Sequence, residues 1–418
     1  MNIKYANFYD DRIHPYWREV KENLPNIEED ILSNPKPYIL RLLKELIEGC
    51  FEYKRIQITE AEWYERCPGR TDYRNGYYTR RWTTELGTIE DLRVPRCRKQ
   101  GLAKQIRKPY EQQQEKIHQM LQRMFIAGVS TRRVEEVVRP LLGRGYSAQS
   151  ISNITKRLDA QVKAYHRRRL EDKYLYLIFD GVVLKGKDIL GARKRTLLCC
   201  HGIDKQGHRE MVDFMVVDSE SERDWMRFLN SLYKRGIRGE FTDLIIIDGS
   251  GGLRAVIDMV YPEIDIQRCW VHKLRNVGNY LKKADKDKCI SEARGIYLAE
   301  NRREAAKVFK KWERKWGKQY PKAVECLKKD LSDMLRFLSR PEQHRKLIRT
   351  TNIIERTIRE IRRRTRPMNG FTNDESIPRI IYAIFDYLNR KWQEKAIKGF
   401  KVEETELPPP ANEMRKAA

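Results

Sequence analysis

The sequence predicts an α/β protein whose mixed β-sheet carries helices on its faces. Two runs of apolar residues, at 174–180 and 244–248, are typical of strands buried on both faces, and each run ends in an aspartate. Around these runs the patterns follow the order strand, hairpin, helix, strand, helix, strand, which describes a mixed sheet. An all-helical block then interrupts the sheet region, and helical and small β-rich modules precede it.

The clearest strand leads into Asp248. Four consecutive apolar residues, LIII, come before this aspartate, and the glycine-rich turn GSGG follows it. A carboxylate at the carboxyl end of a buried strand lies where open α/β sheets build their sites. The turn lacks the GxGxxG spacing and the GK[ST] ending of phosphate-binding loops, which disfavours that alternative. An aspartate that only begins a turn fits this segment equally well.

The other elements of the sheet region follow from their own patterns. Residues 174–180, YLYLIFD, predict a second buried strand that ends at Asp180. The remaining elements are predicted as a hairpin of residues 197–203 and 209–217, a helix at 221–233, a helix at 253–261 and a strand at 264–269. The repeated aspartate at a strand end is the feature on which the functional interpretation depends.

The composition limits the functional classes. The chain has 418 residues, too many for one hydrophobic core, and its 85 basic and 59 acidic residues give a net charge of +26. This excess predicts a polyanionic partner. No apolar run approaches the roughly 18 residues of a spanning helix and no signal peptide opens the chain, so we expect a soluble, cytoplasmic, nucleoid-associated protein without a membrane partner. The eight cysteines form no CxxC pair and are expected to be reduced.

Two modules are predicted at the N-terminal end, a helical one at residues 1–60 and a small β-rich basic one at residues 61–110. In the second module, Arg74 opens the run RNGYYTRRW, in which basic and aromatic residues alternate. Such a surface suits contacts to phosphates and bases, and a small sheet with a solvated basic face explains the run equally well. In the first module, a helix has an apolar face that either packs on its own domain or meets a second copy in a dimer. That face is formed by Ile39, Leu42, Leu43, Leu46 and Ile47.

Residues 111–172 predict a helix-turn-helix domain. Ser130 and Ser147 are placed to cap two short helices, and the glycine-containing segment LGRGY separates them. Two short helices around a glycine turn are typical of DNA-binding modules, although helical hairpins are also common without DNA. The outward residues of the second helix are of types that contact base edges or phosphates: Gln149, Ser150, Asn153, Lys156 and Arg157.

Residues 277–345 predict an all-helical insertion, because charged helical patterns replace strand patterns throughout. The insertion separates the first part of the sheet domain, residues 173–276, from its C-terminal helices, residues 346–400. A disordered tail is expected at 401–418. Within the insertion, aromatic residues at i, i+4 and i+8 form a stripe that is more typical of a core than of a stacking surface: Trp312, Trp316 and Tyr320.

A helix within residues 350–370 carries Glu355. Pro367 and Gly370 are expected to end it. Two structural alternatives would satisfy Glu355 without any chemistry, namely a capping pair with Asn352 and an i,i+4 ion pair with Arg359. One side of the helix is expected to face the core, through Ile354, Ile358 and Ile361.

The three acidic residues suggest a metal-dependent phosphoryl-transfer site. Carboxylates that are brought together repel one another and stay ionised only beside cations. Asp180, Asp248 and Glu355 offer oxygen ligands, which select hard ions such as Mg²⁺ or Mn²⁺. Two such ions roughly 3.5 to 4 Å apart can activate a water or a 3′-hydroxyl and stabilise the leaving oxygen of a phosphodiester. The basic residues of the helix that carries Glu355 would hold the DNA backbone: Arg356, Arg359, Arg362, Arg363 and Arg364.

Together these motifs resemble the Mutator-like family of bacterial insertion-sequence transposases, which are DDE transposases with an RNase H-like core. The resemblance is carried by IFDGVVLKGK around Asp180, IIIDGSGGL around Asp248, QRCWVHKLRNV at residues 267–277 and TTNIIERTIREIRRRTRPMNGF at residues 350–371. It implies that Asp180, Asp248 and Glu355 are the catalytic triad and bind two Mg²⁺ or Mn²⁺ ions.

The family signature C/D-x-x-H is matched by Cys269, Trp270 and His272. CxxH is half of a zinc site, and no second half lies nearby in the sequence. We therefore expect His272 to hydrogen-bond near the active site or to a phosphate, and Cys269 to pack. Trp270 is expected either to pack or to stack on an unpaired base. Gly181 and the GSGG turn depart from the bulkier polar residues that family members often carry, which leaves the shape of that loop open.

The resemblance implies a transposase that binds terminal inverted repeats, nicks 3′ ends and joins them to target DNA with Mg²⁺. It also implies a homodimer and a copy-out route through a circular intermediate. Two other hypotheses stay open at this point. One is a DNA-binding regulator with an inert core, in which the helix-turn-helix provides the function. The other is an RNase H-like nuclease that cuts DNA without joining it.

Overall fold

The computed structural model describes residues 30–99, 102–188, 191–365 and 375–400. The chain divides into two compact units, the first ending at Ile154 and the second beginning at Thr155. Residues 1–29 of the N-terminal module, the tail at 401–418, and both residues expected to end the Glu355 helix, Pro367 and Gly370, lie outside the described residues. None of the described helices combines the length and the apolar character that crossing a membrane requires.

The first unit contains a two-stranded antiparallel sheet packed against one long helix. Its elements are α1 (Lys36–Thr59), β1 (Arg74–Thr84), β2 (Gly87–Cys97), α2 (Leu102–Ile126), α3 (Thr131–Leu142) and the first part of α4 (Ala148–Lys156). Phe51 of α1 stacks on Trp82 of β1 with ring centroids 6.1 Å apart. Leu92 and Val94 of β2 complete this core and are fully buried.

The predicted apolar face of helix α1 is only partly buried. Leu43 and Ile47 pack against the core of the β1–β2 sheet. Ile39, Leu42 and Leu46, in contrast, are each at least 40% exposed. Packing on its own domain therefore explains only part of the face, and a contact between two copies of the chain stays a prediction for the rest.

Helices α3 and α4 are separated by the turn that the glycines predict. The Ser130 hydroxyl accepts a hydrogen bond from the Arg133 N–H at the start of α3, and Gly143, with φ 68°, ends this helix in the left-handed region. Ser147 Oγ accepts the Ser150 N–H at 3.1 Å where α4 begins. The two helices pack with α2 in one core through Ile117, Leu121, Val134, Val138, Ile151 and Ile154.

The second unit contains a five-stranded mixed sheet, as the sequence predicts. Its strands are β3 (Tyr174–Asp188), β4 (Gly191–Asp204), β5 (Arg209–Val217), β6 (Leu244–Ile247) and β7 (Asp265–Arg268). They lie in the order β5, β4, β3, β6, β7; β4 is antiparallel to both of its neighbours, β5 and β3, and β3, β6 and β7 are parallel. Strand β3 is therefore central, with an antiparallel neighbour on one side and a parallel neighbour on the other.

Strand β3 is longer than the sequence predicts, and the expectation that it ends at Asp180 is wrong. It continues to Asp188. Parallel pairing with β6 stops where Phe179 pairs with Ile247, whereas antiparallel pairing with β4 runs to the end of the strand. The segment GVVLKGKD that follows Asp180 contains polar residues, which a strand with one neighbour tolerates. The apolar run therefore marks only the part of β3 that has neighbours on both sides.

The helices of the second unit are α5 (Leu158–Arg167), α6 (Glu222–Arg235), α7 (Gly251–Val260), α8 (Trp270–Gly278), α9 (Lys283–Tyr297), α10 (Arg302–Trp316), α11 (Pro321–Lys329), α12 (Leu331–Met334), α13 (Glu342–Ile348), α14 (Asn352–Thr365) and α15 (Ser376–Gln393), with a 3₁₀ turn at Arg336–Ser339. Helices α6 and α7 share a core with the sheet, in which Trp225 meets Phe179 edge to face at 6.3 Å. Helix α15 packs against β5, with Phe385 5.3 Å from Phe214. Helices thus pack on the sheet, as predicted.

The segment at residues 277–345 contains helices and turns and no strand, and its assignment as an insertion domain stays a prediction. It also covers the edge of the sheet. On the edge strand β7, Gln267 donates from Nε2 to the Met334 carbonyl at 3.0 Å and accepts the Phe337 N–H at 2.9 Å. An edge strand otherwise exposes unpaired backbone groups, so the insertion protects this one. The predicted aromatic stripe is a core: Trp312, Trp316 and Tyr320 are all buried.

A buried histidine on β4 should make the second unit sensitive to acid. Within the described residues neither ring nitrogen of His201 has a hydrogen-bond partner, and its ring lies 5.6 Å from that of Trp392. Burial and, after it, the charge of Arg209 lower the pKa of His201 to about 3. Because His201 takes up a proton near pH 6.5 in the unfolded chain and not in the folded chain, its contribution to stability should fall as the pH drops below about 6.5.

We expect His201→Phe to remove this dependence. The lost stability should amount to about 2 kcal/mol at pH 5, at about 1.4 kcal/mol per pH unit. Urea unfolding at pH 5 and pH 7 measures it, and His208→Gln, which changes a more exposed histidine, serves as the control. An equal loss of stability at pH 5 in wild type and His201→Phe would contradict the prediction.

Candidate functional site

Asp180 is a buried carboxylate in the middle of the sheet. Its side chain belongs to the central strand β3 and is only 3% exposed. No lysine, arginine or histidine in the described part of the chain forms an ion pair with it. Burial raises the pKa of Asp180 to about 8. The nearby negative charges that add to this rise are those of Asp248, Glu355 and Glu220.

Asp248 lies beside Asp180 because of the strand register. Phe179 and Ile247 are partners in the parallel pairing of β3 and β6, and the two aspartates are the next residues along their strands. Asp248 Oδ1 accepts the Ser250 N–H at 3.0 Å, and Gly249, with φ 108°, lets the chain turn into α7. Asp248 therefore both begins the turn and shares the neighbourhood of Asp180, so the two interpretations of this residue are compatible.

Glu355 lies in the first turn of α14, with its side chain about one third exposed. Its Oε1 is 3.2 Å from His272 Nε2, and the carboxylate forms this hydrogen bond instead of an ion pair with Arg359. The helix is held by three buried isoleucines that match the predicted face: Ile354, Ile358 and Ile361. Helix α14 contacts strand β3, and the charge of Glu355 contributes to the raised pKa of Asp180.

The CWVH segment ties the beginning of α8 to the beginning of α14. Cys269 is buried, and its Sγ accepts hydrogen bonds from Thr351, from the N–H at 3.3 Å and from Oγ1 at 3.5 Å. Trp270 is also buried and donates from Nε1 to the Met334 carbonyl at 2.7 Å. His272, one turn further along the helix, is thereby directed at Glu355. Cys269 and Trp270 pack in this structure, and His272 bonds a member of the proposed triad.

The donor chemistry of this region fits a hard divalent cation. Asp180, Asp248 and Glu355 supply carboxylate oxygens, which Mg²⁺ and Mn²⁺ prefer, and a buried carboxylate with acidic neighbours needs a cation to stay ionised at neutral pH. As the side chains stand, no three His, Cys, Asp or Glu residues in the described ranges are arranged to hold a metal ion. Glu355 is directed at His272 in this arrangement.

Exposed arginines flank Glu355 along α14. Arg356, Arg359 and Arg362 are exposed to solvent. Arg363 is also exposed and pairs with Glu360 at 3.1 Å. Arg364 differs from the others because it is buried, and it lies over the Tyr387 ring. The helix therefore presents a row of cations beside the acidic residues, of which Arg364 is not part.

The predicted DNA-contacting residues of the second short helix are mostly exposed. Gln149, Asn153, Lys156 and Arg157 are exposed and Ser150 is half-buried. Two of them are already engaged with each other, since Gln149 Nε2 donates to Asn153 Oδ1 at 3.1 Å. Ser150 Oγ is 2.9 Å from Ser147 Oγ. Arg157 follows the end of α4 and precedes α5.

Arg74 is held inside its own module. Its Nη1 bonds Glu52 at 3.2 Å, and its guanidinium lies 4.5 Å from the centroid of the Trp63 ring. The side chain is only 14% exposed. These contacts give Arg74 a structural partner on each side, so a contact to DNA would need its side chain to leave them.

The structure adds one acidic residue that the sequence analysis does not identify. Glu220 lies just before α6, where Oε1 accepts the Trp225 indole N–H at 3.0 Å. Its charge contributes to the raised pKa of Asp180. Glu220 belongs to the acidic stretch DSESERD, and nothing in that stretch distinguishes it from its neighbours, because its significance depends on the fold.

Comparison with known proteins agrees with the family resemblance. Residues 18–395 match the family model described as Transposase, Mutator family. The chain is 33% identical over 368 residues to the transposase for insertion sequence element ISRM5 of Rhizobium meliloti (strain 1021), which covers 88% of this chain and 92% of that protein. It is 30% identical over 370 residues to the transposase for insertion sequence element IS256 in transposon Tn4001 of Staphylococcus aureus, again with 88% and 92% covered. The chain therefore belongs to the Mutator family of transposases.

Proposed function

We propose that this transposase binds the terminal inverted repeats of a bacterial insertion sequence, nicks their 3′ ends and joins them to target DNA with Mg²⁺ or Mn²⁺. The observation that carries the proposal is the buried carboxylate of Asp180, which has no basic ion-pair partner within the described ranges and is influenced by the charges of Asp248, at the end of the neighbouring strand, and of Glu355 in the first turn of α14. The likeness to insertion-sequence transposases supports the same reaction.

The proposal includes an RNase H-like core. The order β5, β4, β3, β6, β7, with three antiparallel strands and two further parallel ones, supports it. The proposal also includes a helix-turn-helix at α3 and α4, as the two capped helices around a glycine turn predict, and a homodimer. The family resemblance adds a copy-out route through a circular intermediate.

Asp180, Asp248 and Glu355 would hold the divalent cations. Bound there, two cations supply activation of the attacking hydroxyl and stabilisation of the leaving oxygen. Glu355 must turn from His272 to reach the aspartates, and His272 then has a free nitrogen for a phosphate or for the carboxylate's other oxygen. Helix α14 would place its exposed cations along the DNA backbone: Arg356, Arg359, Arg362 and Arg363.

The α3–α4 module would recognise the ends of the element. Phosphate contacts fix the position of a protein on DNA, and contacts with base edges provide the sequence preference. Lys156 and Arg157 suit the first role, and Gln149, Ser150 and Asn153 suit the second. Arg74 would contribute only after leaving Glu52 and Trp63.

The test uses the purified full chain with a fluorescent duplex that contains one end of the element and its flanking DNA. With Mg²⁺ or Mn²⁺ we expect a nick that leaves a 3′-hydroxyl, followed by a longer product in which that end is joined to a second duplex. Cutting without joining would instead identify an RNase H-like nuclease. Binding without cutting in Mn²⁺ would identify a DNA-binding regulator, and either of these results overturns the proposal.

A further inference from the structure

We infer that Glu220 is a fourth cation-binding carboxylate of the Asp180 site, held in place by the Trp225 indole. The inference deepens the proposed function and rests on it, because the ligand is the same class of divalent cation. Glu220 comes from the segment between β5 and α6, an element that contributes none of the three acidic residues described above.

The position of Glu220 is fixed from one side by Trp225. This tryptophan is completely buried between α6 and the sheet, where its ring meets Phe179. Its indole N–H donates to Glu220 Oε1 at 3.0 Å. A charge-assisted hydrogen bond from a buried, rigid donor orients a carboxylate strongly. The rest of Glu220 is exposed, so an ion can reach the carboxylate from solvent.

From the other side, Glu220 lies against the glycine that follows Asp180. A Cβ placed on Gly181 would lie 2.7 Å from Glu220 Oε2 and 2.9 Å from Cδ, closer than real contacts allow. Any residue other than glycine at position 181 therefore displaces the Glu220 carboxylate. This contact gives a physical reason for the glycine at position 181.

The same contact brings a negative charge close to Asp180. Within the described residues Asp180 is buried and has no basic ion-pair partner. The charges that act on it are instead those of three acidic residues, Asp248, Glu355 and Glu220. Such an arrangement is unfavourable by itself, since like charges without a cation repel one another. A divalent cation removes the repulsion, and each added carboxylate strengthens the attraction for it. Glu220 thus has a role that packing alone does not provide.

The inference is tested by measuring Mn²⁺ binding to the full chain without DNA. Bound Mn²⁺ is measured from the loss of the electron paramagnetic resonance signal of the free ion. We expect Glu220→Gln to weaken Mn²⁺ binding about tenfold, the effect typical of groups that support a metal site. Glu222→Gln makes the same chemical change two residues along and should bind as wild type does. Gly181→Ala should weaken binding as Glu220→Gln does, because it displaces the carboxylate without changing the charge.

The double variant Gly181→Ala/Glu220→Gln separates displacement of Glu220 from any other effect of the alanine. If the inference is correct, the double variant binds Mn²⁺ no more weakly than Glu220→Gln alone. Asp180→Asn distinguishes failure of the role assigned to Glu220 from failure of the proposed metal site. Loss of Mn²⁺ binding in Asp180→Asn with wild-type affinity in Glu220→Gln overturns the role of Glu220 and leaves the proposed function standing. Wild-type affinity in both variants overturns the metal site itself, and equal losses in Glu220→Gln and Glu222→Gln overturn the assignment to position 220.

Discussion

Asp180→Ala, Asp248→Ala and Glu355→Ala should each reduce 3′-end nicking and strand transfer by about a thousandfold or more, the cost of losing a group that stabilises charge at a reacting centre. The three residues lie on separate elements, and each is proposed to supply its own oxygen ligand to the cations. Gel assays of nicking and joining measure the loss. Binding to the ends of the element should persist, because the residues proposed to recognise them lie in α4 and after it.

The control for this prediction is Asp258→Ala. This aspartate lies on α7 in the same unit and forms an exposed ion pair with Arg254 at 2.9 Å. Its loss should leave nicking and joining within about twofold of wild type, since exposed pairs contribute little. Nicking at the wild-type rate in all three triad variants would show that these residues do not carry the reaction.

Asp180→Asn should make the metal-free protein more stable while removing its activity. The pKa of Asp180 is raised to about 8, so the folded chain keeps a proton that the unfolded chain loses near pH 4. The contribution of Asp180 to the stability of the wild type should therefore fall as the pH rises from about 4 to 8. Asparagine has the same size and no charge, so the variant escapes this loss. The gain should be a few kcal/mol at pH 8, at about 1.4 kcal/mol per pKa unit.

Urea unfolding of wild type and Asp180→Asn at pH 5 and pH 8, with a chelator present, measures this gain. The difference between the two proteins should be much smaller at pH 5, where Asp180 is protonated in the fold. Added Mg²⁺ should stabilise the wild type and not the variant, because only the wild type binds it through this carboxylate. A variant that is less stable than wild type at pH 8 in the chelator would contradict the prediction.

Much of the sheet domain could be predicted from local patterns. A run such as LIII before Asp248 has few explanations other than a buried strand, and β6 covers those four residues. The sequence predictions fail where a structural feature does not result from the burial of apolar residues. Strand β3 extends beyond Asp180 because it pairs with β4, and pairing leaves no apolar signature in GVVLKGKD. The α1 face could not be divided into inner and outer halves because both halves are equally apolar.

The candidate site shows the same limit. Asp180, Asp248 and Glu355 could be proposed because each lies in a recognisable motif. Glu220 and Thr351 could not, since Glu220 is one of several acidic residues before α6, and Thr351 bonds Cys269 across 82 positions of the chain. Their roles depend on which elements become neighbours in space.

The carbonyl of Met334 accepts two side-chain donors, Gln267 from the edge strand and Trp270 from the signature segment. One atom at the end of α12 thus couples the helical block to the segment that positions His272 against Glu355. The helical block is therefore joined both to the edge of the sheet and to the segment that carries His272.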